Sequence, residues 1–355
     1  MSLSDIIRER IAEHGPISIA DYMDTALSHP EFGYYRKQRI FGAEGDFTTS
    51  PEISQVFGEL IGAWAIEQWQ RLGGGPVALV ELGPGRGTLM HDFLRVSRGV
   101  AGFHDALTVH MVESSPQLAH EQYQSLRLLH PRIEWLDHVD QVPDGKPLIV
   151  IANEFFDALP IKQHVKTAEG ICERRIGWDD DAQQFMFTLS PPGLQLAKSS
   201  TIIPDGTVIE SCPAAKEYMR VLAQRIHAQN GAALIIDYGY MGEAHHDTLQ
   251  AVKAHQFHPV LKAPGEADVT AHVDFNSLMK VAAAEQVSVH GLVTQGQFLV
   301  GMGADIRLES LLKRATPEQR EPLVIGVTRL ISPQAMGDLF KVMAITHGVE
   351  TPSGF

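Results

Sequence analysis

The chain has 355 residues, 44% hydrophobic and 20% charged, which excludes a disordered, collagenous or coiled-coil chain and leaves room for about two domains or one large α/β unit with insertions. Lys and Arg number 29 against 43 Asp and Glu, a formal charge of -14, which argues against general nucleic-acid binding because that rests on Lys and Arg, but would attract a basic substrate. Two cysteines, Cys172 and Cys212, are too few for a disulfide framework or a cysteine-type zinc site, and they suit a reducing compartment.

Asp5, Glu9 and Glu13 interrupt the N-terminal stretch, so it reads as neither a secretory signal nor an acid-poor transit peptide. No apolar run reaches the ~18 residues of a membrane helix, so no membrane insertion is expected. Ile6, Ile7 and Ile11 predict a helix over 2–14, capped by Ser4 and ended by Gly15 and Pro16. Residues 15–52 are rich in Gly, Pro, Tyr and Phe. Ser50, Pro51 and Glu52 then start a helix that runs through Phe57, Leu60, Ile61, Trp64 and Trp69 to Gly73.

From Val77 the text changes to short apolar runs alternating with helical ones. Strands are predicted at 77–82, 108–113, 133–135 and 147–152, with helices at 88–98 and from Ser115 to about His130. That rhythm means a parallel sheet with right-handed crossovers. Residues 161–210 read as short alternating strands between prolines, a β-rich insertion. A helix near 213–229, a strand at 233–237, a helix at 274–286 and a strand at 287–293 follow. Two helices around 305–331 and a last strand at 340–346 close the chain.

The strongest chemical signal is Glu81-Leu82-Gly83-Pro84-Gly85-Arg86-Gly87 between the first strand and its helix. Gly83, Gly85 and Gly87 allow a tight turn and close approach of a ligand, at the strand end where such sheets bind ligands. A dinucleotide fingerprint would space its glycines G-x-G-x-x-G and carry a pyrophosphate. Here the spacing is G-x-G-x-G, and the charge of Glu81 suits an ammonium better than a phosphate. S-adenosylmethionine has an ammonium and a sulfonium and no phosphate, which favours it over NAD. Glu113, at the end of the second strand, is placed to accept hydrogen bonds from ribose hydroxyls in either cofactor. Its plainer role would be to cap the helix that begins near Ser115.

Beyond the loop, Gly45-Asp46-Phe47-Thr48-Thr49-Ser50-Pro51-Glu52-Ile53-Ser54 and Asn153-Glu154-Phe155-Phe156-Asp157-Ala158-Leu159-Pro160 stand out, as do Ile236-Asp237-Tyr238-Gly239 and Ala271-His272-Val273-Asp274-Phe275. With the glycine loop, these resemble the signatures of the MidA-like S-adenosylmethionine-dependent methyltransferases, with Thr48 where the pattern expects an apolar residue. The family includes the mitochondrial protein arginine methyltransferase that helps assemble respiratory complex I. The resemblance implies an α/β, class I methyltransferase Rossmann-like fold: a seven-stranded, mostly parallel sheet with an antiparallel last strand. The expected organisation is an N-terminal helical and loop extension with a lid (1–75), the cofactor-binding half of the core (76–160), the β-rich insertion as substrate wall (161–212) and the second half of the core (213–355). It also implies an enzyme that methylates a protein arginine, symmetrically, on a complex I subunit as in the mitochondrial relative, with S-adenosylhomocysteine as product. The expected location is cytoplasmic in a bacterium and the mitochondrial matrix in eukaryotic relatives.

Methyl transfer at carbon needs mainly orientation, but a guanidinium is a poor nucleophile while its charge is delocalised. Carboxylates can fix it bidentately and take its proton. Glu154 is the first candidate, with Asn153, Asp157 and Asp237 beside it; for Asp157 and Asp237 a turn or strand-end role is the plainer alternative. Asn153 also serves as a cofactor contact. Trp135, Leu136 and Asp137 follow the third strand, where the adenine is expected. Asp46, Thr49, Ser50 and Glu52 form either a lid over the cofactor or a helix cap. His255, His258 and the run His245-His246-Asp247 lack a metal-ligand pattern, so no metal is expected. The alternatives are a methyltransferase for another acceptor, a cofactor-binding assembly factor without essential turnover, and, disfavoured by Glu81, a dehydrogenase.

Overall fold

The computed structural model describes residues 1–36, 49–193, 203–242 and 247–355. Asp46 and Thr48 of the expected lid loop, and His245 and His246, lie outside the described residues. The chain divides into two compact units, one bounded by Met1–Phe47, Asp157–Glu217 and Tyr240–Asp274, the other by Thr48–Phe156, Tyr218–Gly239 and Phe275–Phe355. The segment expected as one N-terminal extension, 1–75, is thus shared between the two, and 240–274 joins the insertion.

The larger unit is built on a parallel sheet of β1 (Val77–Leu82), β2 (Leu107–Val112), β3 (Ile133–Leu136), β4 (Leu148–Asn153), β5 (Gly231–Tyr240), β6 (Ser288–Thr294) and β7 (Phe340–His347). Its path runs β6-β7-β5-β4-β1-β2-β3. β1 pairs in parallel with β2 and β4, while β7 runs antiparallel to both β5 and β6. Every residue of β1 and β4 is buried, as continuous apolar strands of a sheet covered on both faces should be.

Local chemistry sets the helix boundaries. The helix predicted from Ser50 through Trp69 is broken at Ser54: a short turn, Ser50–Ile53, has Thr49 at its N-cap, and Gln55–Arg71 follows, with the Ser54 hydroxyl accepting from the Val56 amide at 3.3 Å. Gly58 and Gly62, one turn apart, bring this helix against Thr88–Ser97; a Cβ at either would lie 2.8–2.9 Å from Asp92 or Val96. Between the same helices Glu59 is almost fully buried. Its carboxylate accepts from Arg95 at 2.7 Å and from Arg307, on the helix Ala304–Leu312, at 2.6 and 2.9 Å.

The smaller unit holds the β-rich insertion as an antiparallel sheet, Lys162–Thr167, Gly170–Asp179, Gln184–Leu189 and Val208–Ser211, extended by Ile17–Ser18. A second sheet of Gln250–Lys253, Gln256–His258 and Asp268–Thr270, and the helix Ile19–Ser28, were not anticipated from the sequence. The first helix is Leu3–His14, capped by Ser2 rather than Ser4. Asp5 lies three residues after Ser2 and returns its hydrogen bond at 2.8 Å, so the reciprocal cap forms there.

Glu59 offers a test of the larger unit's packing. Burial alone would raise its pKa, yet the hydrogen bonds from Arg307 and Arg95 hold it below the ordinary carboxylate value. Glu59→Gln is expected to lower the unfolding free energy by about 1–3 kcal/mol, the arginines being partly solvated. A depressed carboxylate stabilises above its unfolded-state value and loses that contribution as pH falls through its folded value. Urea titrations should therefore show the gap between parent and variant narrowing as the pH drops below about 4.

Candidate functional site

Parallel register decides which side chains meet at the carboxyl ends of the strands. Glu81 is level with Met111 on β2 and Ile151 on β4, and Met111 with Trp135 on β3. Side chains alternate along a strand, so Glu81, Trp135 and Asn153 share one face, which Glu113 continues one residue beyond β2. Asp237 lies on the other face, because Ile236 is level with Asn153.

The turn after β1 departs from ordinary backbone. Gly83, Gly85 and Gly87 all take the left-handed conformation, with φ of 58°, 54° and 79°. Gly83 is pressed by a neighbour as well: a Cβ there would lie 2.9 Å from the Phe155 ring. Gly87 caps the helix Thr88–Ser97, so the loop delivers backbone directly onto a helix N-terminus.

Glu81 is 3% exposed, and its Oε2 has no hydrogen-bond partner. Burial pushes its carboxyl up to about 8, since an ionised group without a partner is costly there. On the adjacent strand β4, Asn153 is similarly buried, and its Oδ1 also lacks a partner. The face therefore carries two buried acceptors suited to a donor with positive charge.

Glu113 fills the plainer of the two roles its position allowed, holding the start of the next helix. Its Oε1 accepts from the Ser115 amide at 2.7 Å, at the start of the helix Pro116–Leu126, and its Oε2 accepts from Gln122 at 3.3 Å. Gln122 is fully buried and was not singled out from the sequence; it also donates to the Gly85 carbonyl at 2.7 Å and accepts from the Trp135 indole at 2.8 Å. The signal was present: Leu118, Gln122 and Leu126 form the buried stripe of this helix, and an amide in such a stripe needs partners. Trp135 and Leu136 are half-buried and Asp137 is exposed.

At the end of β4 the chain turns through Glu154, whose φ is 51°, a conformation uncommon for a residue with a Cβ. Its Oε1 accepts from the Ser50 amide at 2.9 Å and the Asn153 amide group at 3.2 Å. Ser50 is buried and Thr49 half-buried. Asp237 is fully buried, its carboxylate accepting from the backbone amides of Phe155 at 3.2 Å, Phe156 at 2.9 Å and Tyr238 at 2.9 Å. It holds the turn that displays Glu154. Asp157 belongs to the other unit, where it is buried and its carbonyl accepts from the Ala271 amide at 3.0 Å. Glu81, Glu113, Asn153, Glu154 and the glycine loop all lie in the larger unit, and Asp157, three residues after Glu154, is the first residue of the next segment of the smaller one. Among the described residues, no group of three His, Cys, Asp or Glu is arranged to hold a metal ion.

Known proteins resemble this chain over most of its length. A family model described as "Putative S-adenosyl-L-methionine-dependent methyltransferase" matches residues 60–293. The "Protein arginine methyltransferase NDUFAF7, mitochondrial" of Danio rerio is 40% identical over 96% of this chain and 86% of its own length. That of Homo sapiens is 36% identical, over 95% and 81%. A solved Burkholderia thailandensis protein bound to S-adenosyl-homocysteine matches with a TM-score of 0.85 at 27% identity, covering 99% of this chain and 93% of that one.

The turn after β1 can be tested directly. Gly83 has both a positive φ and a Phe155 ring where a Cβ would go, whereas Gly145, with φ of 96°, has open space around it. Gly145→Ala is expected to cost about 1 kcal/mol of stability, from backbone strain alone. Gly83→Ala should cost about 2–4 kcal/mol. Equal losses in chemical denaturation would mean that Phe155 does not constrain the loop.

Proposed function

The chain belongs to the S-adenosyl-L-methionine-dependent methyltransferases whose family model it matches, and on that premise we propose that it methylates an arginine of a protein. The observation that carries this reading is Glu81, a buried carboxyl with a partnerless oxygen at the end of β1. A phosphate brings neither a donor nor a cation to that carboxyl, while the α-ammonium of S-adenosylmethionine supplies both. The acceptor is drawn from the arginine methyltransferase relatives, and an acidic chain is compatible with a basic target. By the same resemblance the proposal extends to symmetric dimethylation of a complex I subunit, in the mitochondrial matrix for eukaryotic relatives and the cytoplasm for a bacterial chain.

The residues divide the work as follows. Glu81 and the backbone of Gly83, Gly85 and Gly87 hold the amino-acid part of the cofactor. Glu113 accepts from the ribose hydroxyls, and Trp135, Leu136 and Asp137 bound the adenine. When bound, the cofactor supplies an activated methyl group on a sulfonium, with a neutral thioether as leaving group. Glu154 grips the guanidinium, draws its charge onto one nitrogen so that the other keeps a lone pair to accept the methyl, and receives the proton that the methylated nitrogen loses. Asn153 orients Glu154 through its amide and presents its own oxygen to the bound groups. Thr49 and Ser50 cover this end of the sheet, and Ser50 fixes the Glu154 carboxylate.

Glu81 makes cofactor binding dependent on pH. A cation beside it lowers its proton affinity, so binding releases a proton while the free carboxyl, at about 8, is still protonated. Calorimetric titration should show S-adenosylhomocysteine binding tighten by about tenfold from pH 6 to 8, and Glu81→Gln should bind more weakly with a flat profile. A raised folded value favours folding below the ordinary carboxylate range, and that contribution is lost as pH rises through about 8. The ligand-free Glu81→Gln protein should accordingly be more stable than the parent at pH 9. The same slope in parent and variant would remove Glu81 from the site.

The acceptor is tested with methyl-labelled S-adenosylmethionine and protein extracts from cells lacking the enzyme. Label should appear in a protein band and, after hydrolysis, in dimethylarginine. Glu154→Gln should reduce turnover by about 100-fold or more while leaving S-adenosylhomocysteine affinity within about threefold. Label confined to a low-mass product would overturn the arginine assignment.

A further inference from the structure

Gln122 occupies a position that the division of labour above leaves without a role. It lies on the helix Pro116–Leu126, behind the loop, and is fully buried. Its amide donates to the Gly85 carbonyl at 2.7 Å and the Glu113 Oε2 at 3.3 Å, and accepts from the Trp135 Nε1 at 2.8 Å. These three partners come from the ends of β1, β2 and β3. A carboxamide offers two donors and an acceptor in one plane, so a single side chain can satisfy all three. A carboxylate of the same shape has no donor, and an apolar side chain of the same volume has neither. The fit is close: a Cβ on Gly87 would lie 3.4 Å from the Gln122 Cγ.

We infer that Gln122 is a positioning residue for the cofactor, fixing the Glu113 carboxylate against the glycine loop in the orientation in which it meets the ribose hydroxyls. The inference rests on the cofactor site proposed above and adds to it a residue that touches no cofactor atom. The Ser115 amide holds one Glu113 oxygen at 2.7 Å and Gln122 the other, so the plane of the carboxylate is set from two sides. An acceptor held in place before the ligand arrives loses less freedom on binding. The carbonyl of Gly85, on the same amide, keeps the loop in register with that acid.

The test is a double-mutant cycle on the full chain, read by calorimetric titration with S-adenosylhomocysteine and by steady-state kinetics. Gln122→Met, close in volume, should weaken binding about tenfold. It should raise KM for S-adenosylmethionine by a similar factor and leave kcat within about twofold. In a Glu113→Ala background the same substitution should change affinity less than about threefold. Gln122→Glu keeps the shape and the acceptor for Trp135 and should show a loss of the same size at pH 8, diminishing at low pH as the new carboxyl regains a donor. Equal losses with and without Glu113, or a fall in kcat at unchanged KM, would show packing alone and overturn the inference. If the parent protein does not bind S-adenosylhomocysteine, the cofactor site itself fails. A parent that binds beside a Gln122→Met variant that binds equally well overturns only the role of Gln122.

Discussion

A parallel sheet fixes which residues of neighbouring strands share a face at its carboxyl edge, and the larger unit depends on that constraint. Adjacent parallel strands run in register, and their side chains alternate, so every second residue near the strand ends faces the same way. Glu81, Trp135 and Asn153 are brought onto one face by pairings fixed several residues earlier, in apolar stretches that contact no ligand. A slip of one residue in β1 would turn Glu81 to the other face and Leu82 toward the site. The buried strands therefore set the chemistry of the edge.

That arrangement stores a cost at the edge. Glu81 is buried without a partner for one oxygen and is held partly neutral by its surroundings. In the same unit Glu59, equally buried, is held ionised by Arg95 and Arg307. The two carboxylates differ in what faces them. Glu59 has its cations from the chain itself and contributes to packing. Glu81 has none, and the charge that would complete it must come from outside. The contrast supports reading the first as structural and the second as a binding group, since buried charges are ordinarily paired.

Much of the larger unit was legible because its signals are local. Continuous apolar runs, glycines at alternate positions and Ser115-Pro116 opening a helix each report on their own segment. Glu113 stood out from its place after the second strand, and its bond to the Ser115 amide satisfies the plainer of its two readings. What escaped is non-local. Gln122 looks like a polar interruption of a helix until three strand ends are folded around it. The sheet of Gln250–Lys253, Gln256–His258 and Asp268–Thr270 has strands of three or four residues, too short for a pattern of period two to stand out. Ser2 was passed over for Ser4 because the choice depends on which serine has an acid at the third position after it, and only Ser2 has Asp5 there.

The end of β4 shows why residue type alone misjudges role. Asp237 and Glu154 are both acids at strand ends, and the sequence offered both as catalytic. Asp237 is fully buried with its oxygens turned to the amides of Phe155, Phe156 and Tyr238, so it organises the backbone that follows β4. Glu154 sits in that backbone at φ of 51°, a conformation a side chain with a Cβ keeps only when its surroundings impose it. Asp237 supplies part of that imposition, and the bond from the Ser50 amide supplies more. One acid thus holds the turn so that the other can be held out of ordinary backbone geometry. Strain of this kind is retained where orientation matters more than stability, which is the requirement on the role proposed for Glu154.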